Sequence, residues 1–158
     1  METMSIDATW DPGVGTPDNR SSTKGFTAPE RHGPPRVLLA DDYEGICRVL
    51  TRLLRASCDV VGHVNDGTRL LETIERLQPD VVILDFRMPG INGLEACREI
   101  KTAKPDVDVI VCTAADDPWL PVRALRAGAS AFVLKFRMGV DLLPAIQRTR
   151  SVMVLAHT

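Results

Sequence analysis

From Arg36 onward the chain alternates short apolar runs with longer stretches in which apolar residues recur every three or four positions. Val37-Leu38-Leu39-Ala40 reads as a short buried strand. Ile46, Val49, Leu50, Leu53 and Leu54 then follow at helical spacing and predict an amphipathic helix. Val60 to Val64 form a second strand, and Asn65-Asp66-Gly67 a turn in which Asp66 or Thr68 is the expected N-cap. Leu70, Leu71, Ile74 and Leu77 line a second helix, which Pro79 stops. Val81 to Leu84 is a continuous apolar run, the pattern of a strand buried on both faces, and Pro89-Gly90 mark the turn beyond it. Leu94, Cys97 and Ile100 mark a third helix that ends before Pro105. Val107 to Val111 predict a fourth strand running into Cys112-Thr113-Ala114. Asp117-Pro118 has the form of an N-cap followed by proline at the first helical position. Pro121 follows where a missing donor begins to cost a helical bond, so the fourth helix is expected to start weakly and to close on Gly128. Ala131 to Leu134 form a fifth strand. The last helix is expected to start near Asp141, to accept Pro144 at its third position, and to bury Leu142, Leu143, Ile146 and Met153.

Five β–α units in alternation imply a parallel sheet with helices on both sides, joined by right-handed crossovers. Residues 1–35 are different. They hold Pro12, Pro17, Pro29, Pro34 and Pro35 with Gly13, Gly15, Gly25 and Gly33, and their apolar residues show no period. Such a segment cannot bury enough surface to offset its ordering entropy, so residues 1–35 are expected to be a disordered arm. Gly13-Val14-Gly15 lacks the flanking strand and helix that a nucleotide-binding loop needs. The domain is placed at residues 36–156.

The 158 residues, a net charge of -2 and 44% hydrophobic content suit one domain with a sizeable core. A nucleic-acid binder would usually be strongly basic. No apolar stretch approaches the ~20 residues needed to span a bilayer, and the acidic N-terminus lacks the features of a secretory signal. Cys47, Cys58, Cys97 and Cys112 form no CxxC pair and no zinc half-site with His32, His63 or His157. They read as reduced core thiols of a cytoplasmic protein.

The residues just after the strands change the picture. Asp41 and Asp42 follow the first, Asp85 the third, Thr113 closes the fourth, and Lys135 follows the fifth. All lie at carboxyl ends, the edge at which parallel α/β sheets bind ligands. At ~5 Å and an effective dielectric of ~20, each like-charge carboxylate pair costs roughly 3 kcal/mol. Either the pKa values rise or a cation sits among them. All-oxygen ligands suit Mg²⁺, and the absence of nearby histidine or cysteine argues against zinc. A carboxylate beside Mg²⁺ can act as a nucleophile toward phosphorus, with Lys135 and the Thr113 hydroxyl pairing with phosphoryl oxygens. Ala114 is small and leaves room for such a group.

These residues resemble the receiver domain of bacterial two-component response regulators. The likeness covers about Pro35 to Ala156. It rests on Asp41-Asp42, on Asp85 in Asp-x-x-Met-Pro-Gly with Gly93 following, and on Thr113-Ala114, Phe132 and Lys135. Val-Leu-Leu-Ala-Asp-Asp and Gly-Ala-Ser-Ala-Phe-Val-Leu-Lys are closest in style to receivers that precede a helix-turn-helix output domain. The resemblance implies a flavodoxin-like, doubly wound (βα)5 fold with strand order 2-1-3-4-5. It implies that Asp85 is the phosphoacceptor, supplied by a histidine kinase or phosphotransfer protein. Asp42, Asp85 and the Arg87 backbone carbonyl would bind Mg²⁺, with Asp41 acting largely through water. Thr113 and Phe132 would be a switch pair, and the face built from the fourth helix, fifth strand and fifth helix would carry the signal to a downstream protein or a second copy. The module would catalyse only its own phosphoryl transfer and slow dephosphorylation.

Two departures qualify the likeness. Phe136 stands where receivers usually have proline after the lysine, and a cis Lys135–Phe136 bond is the expectation if the lysine is to reach the phosphate. Arg87 and Ala115 occupy positions that tune phosphoryl lifetime in the family. No output domain is expected within this chain; the alternative is a receiver piece of a longer DNA-binding regulator. Other classes fit the same residues less well. A haloacid-dehalogenase-type hydrolase needs an aspartate two positions after its nucleophile as general acid, and Arg87 cannot donate a proton near neutral pH. A flavodoxin-like cofactor carrier needs a hydroxyl- and glycine-rich first loop, whereas Asp41-Asp42 would repel a cofactor phosphate. A receiver-like module that binds partners without phosphorylation stays open.

Overall fold

The computed structural model describes the backbone of residues 33–156 and the side chains through Ser151. The arm expected over residues 1–35 therefore lies, up to His32, outside the described residues, as does the side chain of Met153. The elements are β1 (Arg36–Ala40), α1 (Glu44–Leu54), β2 (Asp59–Val64), a 3₁₀ turn (Gly67–Arg69) and α2 (Leu70–Leu77). There follow β3 (Val81–Leu84), a short ribbon of Arg87–Met88 and Ile91–Asn92, α3 (Gly93–Ala103), β4 (Asp108–Thr113) and α4 (Leu120–Arg126). β5 (Ala131–Leu134), a second 3₁₀ turn (Lys135–Arg137) and α5 (Met138–Ala156) complete the fold.

The main sheet runs β2-β1-β3-β4-β5 with every pairing parallel, as the sequence predicts. Period-two alternation divides its side chains between two cores. Leu38, Val82, Leu84, Val109 and Val111 face α2, α3 and α4, where Ile74, Ile100 and Leu120 meet them. Val37, Leu39, Val81, Ile83 and Ile110 face α1 and α5, against Leu50, Leu54, Leu142 and Ile146. All four cysteines are free and buried. Burial raises their thiol pKa values, that of Cys112 to about 12, so they act as small core residues. Among the described residues, no helix is long and apolar enough to cross a membrane.

Helix ends follow the local chemistry in most places. Asp66 caps the first 3₁₀ turn by accepting from the Thr68 N–H at 2.8 Å. Gln78, with φ of 51°, closes α2 just before Pro79. Gly128, with φ of 101°, follows the C-cap of α4.

Two helix starts correct the sequence expectation. Asp117 accepts from the Trp119 N–H and its carbonyl from the Leu120 N–H, which makes a separate turn. α4 begins only at Leu120, so Pro121 falls in its first turn, where its missing donor would have been unpaired anyway. Pro121 therefore does not weaken the helix in the way its spacing suggests. α5 begins at Met138 rather than near Asp141, because the chain enters it through the 3₁₀ turn of Lys135–Arg137. Arg137 and Asp141 pair across this entry at 2.7 Å. Pro144 consequently lies inside α5, where it removes one donor from the helical ladder.

Candidate functional site

Each strand end delivers its side chain to one edge of the sheet. Asp41 follows β1 directly, and its N–H donates to the Val64 carbonyl at 3.0 Å, which fixes it beside β2. Asp85 follows β3 and is tied to β1 through its N–H to the Ala40 carbonyl at 2.8 Å. Thr113 ends β4 in register with Leu134, so Lys135 emerges from β5 immediately beside that edge.

The acidic residues converge. One carboxylate oxygen from each of Asp41, Asp42 and Asp85 lies within 4.8 Å of the others. Asp41 and Asp85 are buried, whereas Asp42 is exposed at the rim. The Tyr43 N–H donates to Asp41 Oδ1 at 2.9 Å, and the Arg87 N–H donates to Asp85 Oδ1 at 3.3 Å. Lys135 Nζ bridges the two buried carboxylates, 2.5 Å from Asp41 Oδ2 and 3.2 Å from Asp85 Oδ2. Burial works against charge on Lys135, but its hydrogen bond to Asp41 and the charge of Asp85 prevail and hold its pKa above the usual lysine range.

With three acids and one lysine, the cluster keeps an excess of negative charge beside an exposed carboxylate. An all-oxygen set of this kind, open to solvent on one side, fits Mg²⁺. The Thr113 hydroxyl is buried and accepts from the Ala115 N–H at 3.2 Å, which leaves its own proton free to donate. Phe132 is half-buried and, like Ala115, packs against the core beneath α2, α3 and α4. Arg87 is exposed on the ribbon.

The structure thus brings Asp41, Asp42, Asp85 and Lys135 into one cluster, with Thr113 on the same edge. It also corrects one expectation. The Lys135–Phe136 peptide bond is trans, and Lys135 reaches both carboxylates without the roughly 3 kcal/mol cost of a non-proline cis bond. Phe136 itself is 81% exposed.

Residues behind Asp85 hold its loop. Asn92 caps α3 by accepting from the Leu94 N–H at 2.8 Å, and Gly93 donates to the Phe86 carbonyl at 3.0 Å. A Cβ at Gly93 would lie 2.6 Å from Phe86 Cα and 2.9 Å from the Asp85 carbonyl oxygen. The glycine in the motif is therefore a consequence of how closely α3 approaches the backbone of Asp85. The primary Lys135 contact with Asp41 was not visible in the sequence, because no local spacing relates the two residues.

Comparison with known proteins agrees with this geometry. The family model described as "Response regulator receiver domain" matches residues 37–154. Response regulator GacA of Pseudomonas viridiflava is 38% identical over 120 residues, which cover 74% of this chain and 54% of GacA. The chain therefore spans about half the length of that relative. The solved signal receiver domain of the putative response regulator NarL from Mycobacterium tuberculosis superposes with a TM-score of 0.69 at 31% identity, covering 73% of this chain and 95% of that one. A two-component response regulator of the LuxR family from Aurantimonas sp. SI85-9A1 gives a TM-score of 0.69 at 27% identity, covering 74% and 85%. Fold, acidic cluster and sequence together show that this chain belongs to the response regulator receiver domain family.

Proposed function

We propose that the protein is a phosphorylation-activated switch of a cytoplasmic two-component phosphorelay, with Asp85 as its phosphoacceptor. The observation that carries this reading is the meeting of three carboxylates within 4.8 Å, two of them bridged by Lys135. Asp85 attacks phosphorus through a carboxylate oxygen, and the bond from phosphorus to the donor's leaving group breaks. Asp42, Asp85 and the Arg87 carbonyl would hold Mg²⁺, while Asp41, already engaged by Lys135, would act largely through water. When bound, the metal supplies positive charge that offsets the incoming phosphoryl oxygens. Lys135 pairs with one such oxygen and the Thr113 hydroxyl donates to another.

The donor is a histidine kinase or phosphotransfer protein, the partner class that goes with the family. Thr113 and Phe132 form the switch pair: the hydroxyl swings to the phosphoryl group and the half-buried ring turns inward. This shifts a population between two states rather than making a new fold. The readout is the face of α4, β5 and α5, offered to a downstream protein or to a second copy of the chain. On this account residues 36–156 are a complete receiver, and DNA binding, if it belongs to the full regulator, lies in another domain.

Metal dependence tests the proposal. Incubation with a small acyl phosphate and Mg²⁺ is expected to convert the protein to a phosphorylated form, and chelation of the metal to reduce conversion to background. Equal conversion in the presence of chelator would contradict the metal assignment. Steady phosphate release over many turnovers would contradict the switch and favour a hydrolase.

A further inference from the structure

The turn between β2 and α2 is not part of the acidic cluster, yet it is packed directly against the loop that follows Asp85. The Gly67 N–H donates to the Pro89 carbonyl at 2.9 Å. A Cβ on Gly67 would lie 1.8 Å from Ile91 Cγ2, so the Ile91 side chain occupies the space that any other residue at 67 would need. The contact is reciprocal: Gly90, with φ of 89°, would bring a Cβ to 2.5 Å from Asp66 Oδ1 and 2.8 Å from Thr68 Cγ2. Asp66 is itself pinned by accepting from the Thr68 N–H and hydroxyl, at 2.8 and 2.7 Å.

Gly67 does not have the left-handed φ of Gly90 and Gly128. Its small size answers to Ile91 and not to a backbone requirement. Ile91 is paired with Met88 in the ribbon, and Arg87 with Asn92. Arg87 in turn donates its N–H to Asp85 Oδ1. The Gly67–Ile91 contact is thus one ribbon step from the peptide that supplies the Arg87 carbonyl.

We propose that Gly67 is a positioning residue for the metal site, its bare α-carbon seating Ile91 and so fixing the ribbon that carries the Arg87 carbonyl. The inference rests on the assignment of that carbonyl, with Asp42 and Asp85, as Mg²⁺ ligands. Groups that orient metal ligands from behind typically change affinity by about 10- to 100-fold when altered. A methyl group at residue 67 meets Ile91 and none of the three carboxylates, so its effect on the site passes through the ribbon.

The test is calorimetric titration of the full chain with Mg²⁺, well below the melting temperature, so that only folded protein is read. Gly67→Ala is expected to bind at least about 10-fold more weakly than wild type. Ile91→Ala in the same background removes the 1.8 Å clash with Cγ2, leaves a 3.1 Å contact with the Cβ of residue 91, and is expected to recover most of that loss. Gly62→Ala is the control: its Cβ meets the ends of the Leu77 and Leu38 side chains, at 2.9 and 3.8 Å, and no ribbon residue, and its Mg²⁺ affinity is expected to be unchanged. If Gly67→Ala does not fold, Ile91→Ala is compared with the double variant. Equal affinities then support the contact, and a double variant about 10-fold weaker overturns it. Wild-type affinity in a folded Gly67→Ala overturns the inference alone. No Mg²⁺ binding by the wild type overturns the metal assignment on which it rests.

Discussion

Asparagine at position 85 is expected to leave the protein folded and to reduce its uptake of phosphoryl groups to background. The substitution keeps the size of the side chain and one oxygen, which in place of Oδ2 can accept from Lys135 Nζ, now at 3.2 Å. The amide nitrogen then replaces Oδ1, and only the long 3.3 Å bond from the Arg87 N–H is given up. It removes the charged oxygen that would attack phosphorus. The electrostatic balance favours the variant. Asp85 faces two like charges, Asp41 and Asp42, and one opposite charge, Lys135. With each like-charge pair costing roughly 3 kcal/mol at ~5 Å and an effective dielectric of ~20, neutralising Asp85 relieves more repulsion than the attraction it forfeits. Asp85→Asn is therefore expected to melt no lower than wild type in the absence of Mg²⁺. Thermal unfolding and intact mass measured on the same sample check both halves. A variant that melts well below wild type would show that the carboxylate holds the fold, and retained uptake would show that the acceptor lies elsewhere.

Lys135→Met is expected to give the largest loss of stability at the site. The Lys135 side chain is 14% exposed, and those of its partners Asp41 and Asp85 are 5% and 7% exposed. Removing one partner of a buried ion pair typically costs about 3–5 kcal/mol, because the remaining charge is left uncompensated. Here two carboxylates are left, beside a third. The unfolding midpoint in denaturant should fall accordingly. Mg²⁺ should then restore more stability to the variant than it adds to wild type, since a ligand that binds only the folded state stabilises it by mass action. Loss of packing around the lysine stem would not be mended by a divalent cation, so this difference separates charge from shape. The pH dependence has a definite sign. Lys135 has a raised pKa in the folded protein, with Asp41 and Asp85 outweighing its burial. Its contribution is complete below the unfolded lysine value of about 10.4 and is lost as pH rises through the higher folded value. The gap between wild type and Lys135→Met is thus expected to be level from neutral to mildly alkaline pH and to narrow above roughly pH 10.4.

Why some of this was legible in the sequence follows from the physics of the individual elements. Val81-Val-Ile-Leu84 is buried on both faces and is apolar throughout, as a strand in that position favours. Its end is therefore sharply marked by Asp85, and the same holds for Asp41 after β1 and Thr113 at the end of β4. The parallel sheet followed from the alternation, and its strand order from the family likeness alone. Helix starts were less legible. Pro118, Pro121 and Pro144 each fit an entry position, but the turn at Asp117 and the 3₁₀ turn at Lys135–Arg137 shift where the helices begin. Proline marks a missing donor, and it does not say which turn contains it.

Contacts between distant loops were not legible at all. Lys135 holds Asp41 more closely than Asp85, a preference set by where β5 ends relative to β1. Gly67 after Asn65-Asp66 reads as a turn glycine, whereas its size is dictated by Ile91 in the ribbon that follows Asp85. Such residues carry no periodicity and no pairing signal, because their partner is defined only once the sheet has formed. The trans bond before Phe136 is of the same kind: only the finished geometry shows that Lys135 reaches its partners without a cis bond.

The central claim is that Asp85 carries the phosphoryl group. An acyl phosphate on a carboxylate can be reduced by borohydride to an alcohol, which leaves a permanent mark on the side chain that held it. After phosphorylation with a small acyl phosphate and Mg²⁺, reduction with labelled borohydride and peptide sequencing, the account predicts one labelled residue, at position 85. A label at Asp41 or Asp42 with none at Asp85, or no label on protein that has gained phosphate, would contradict it.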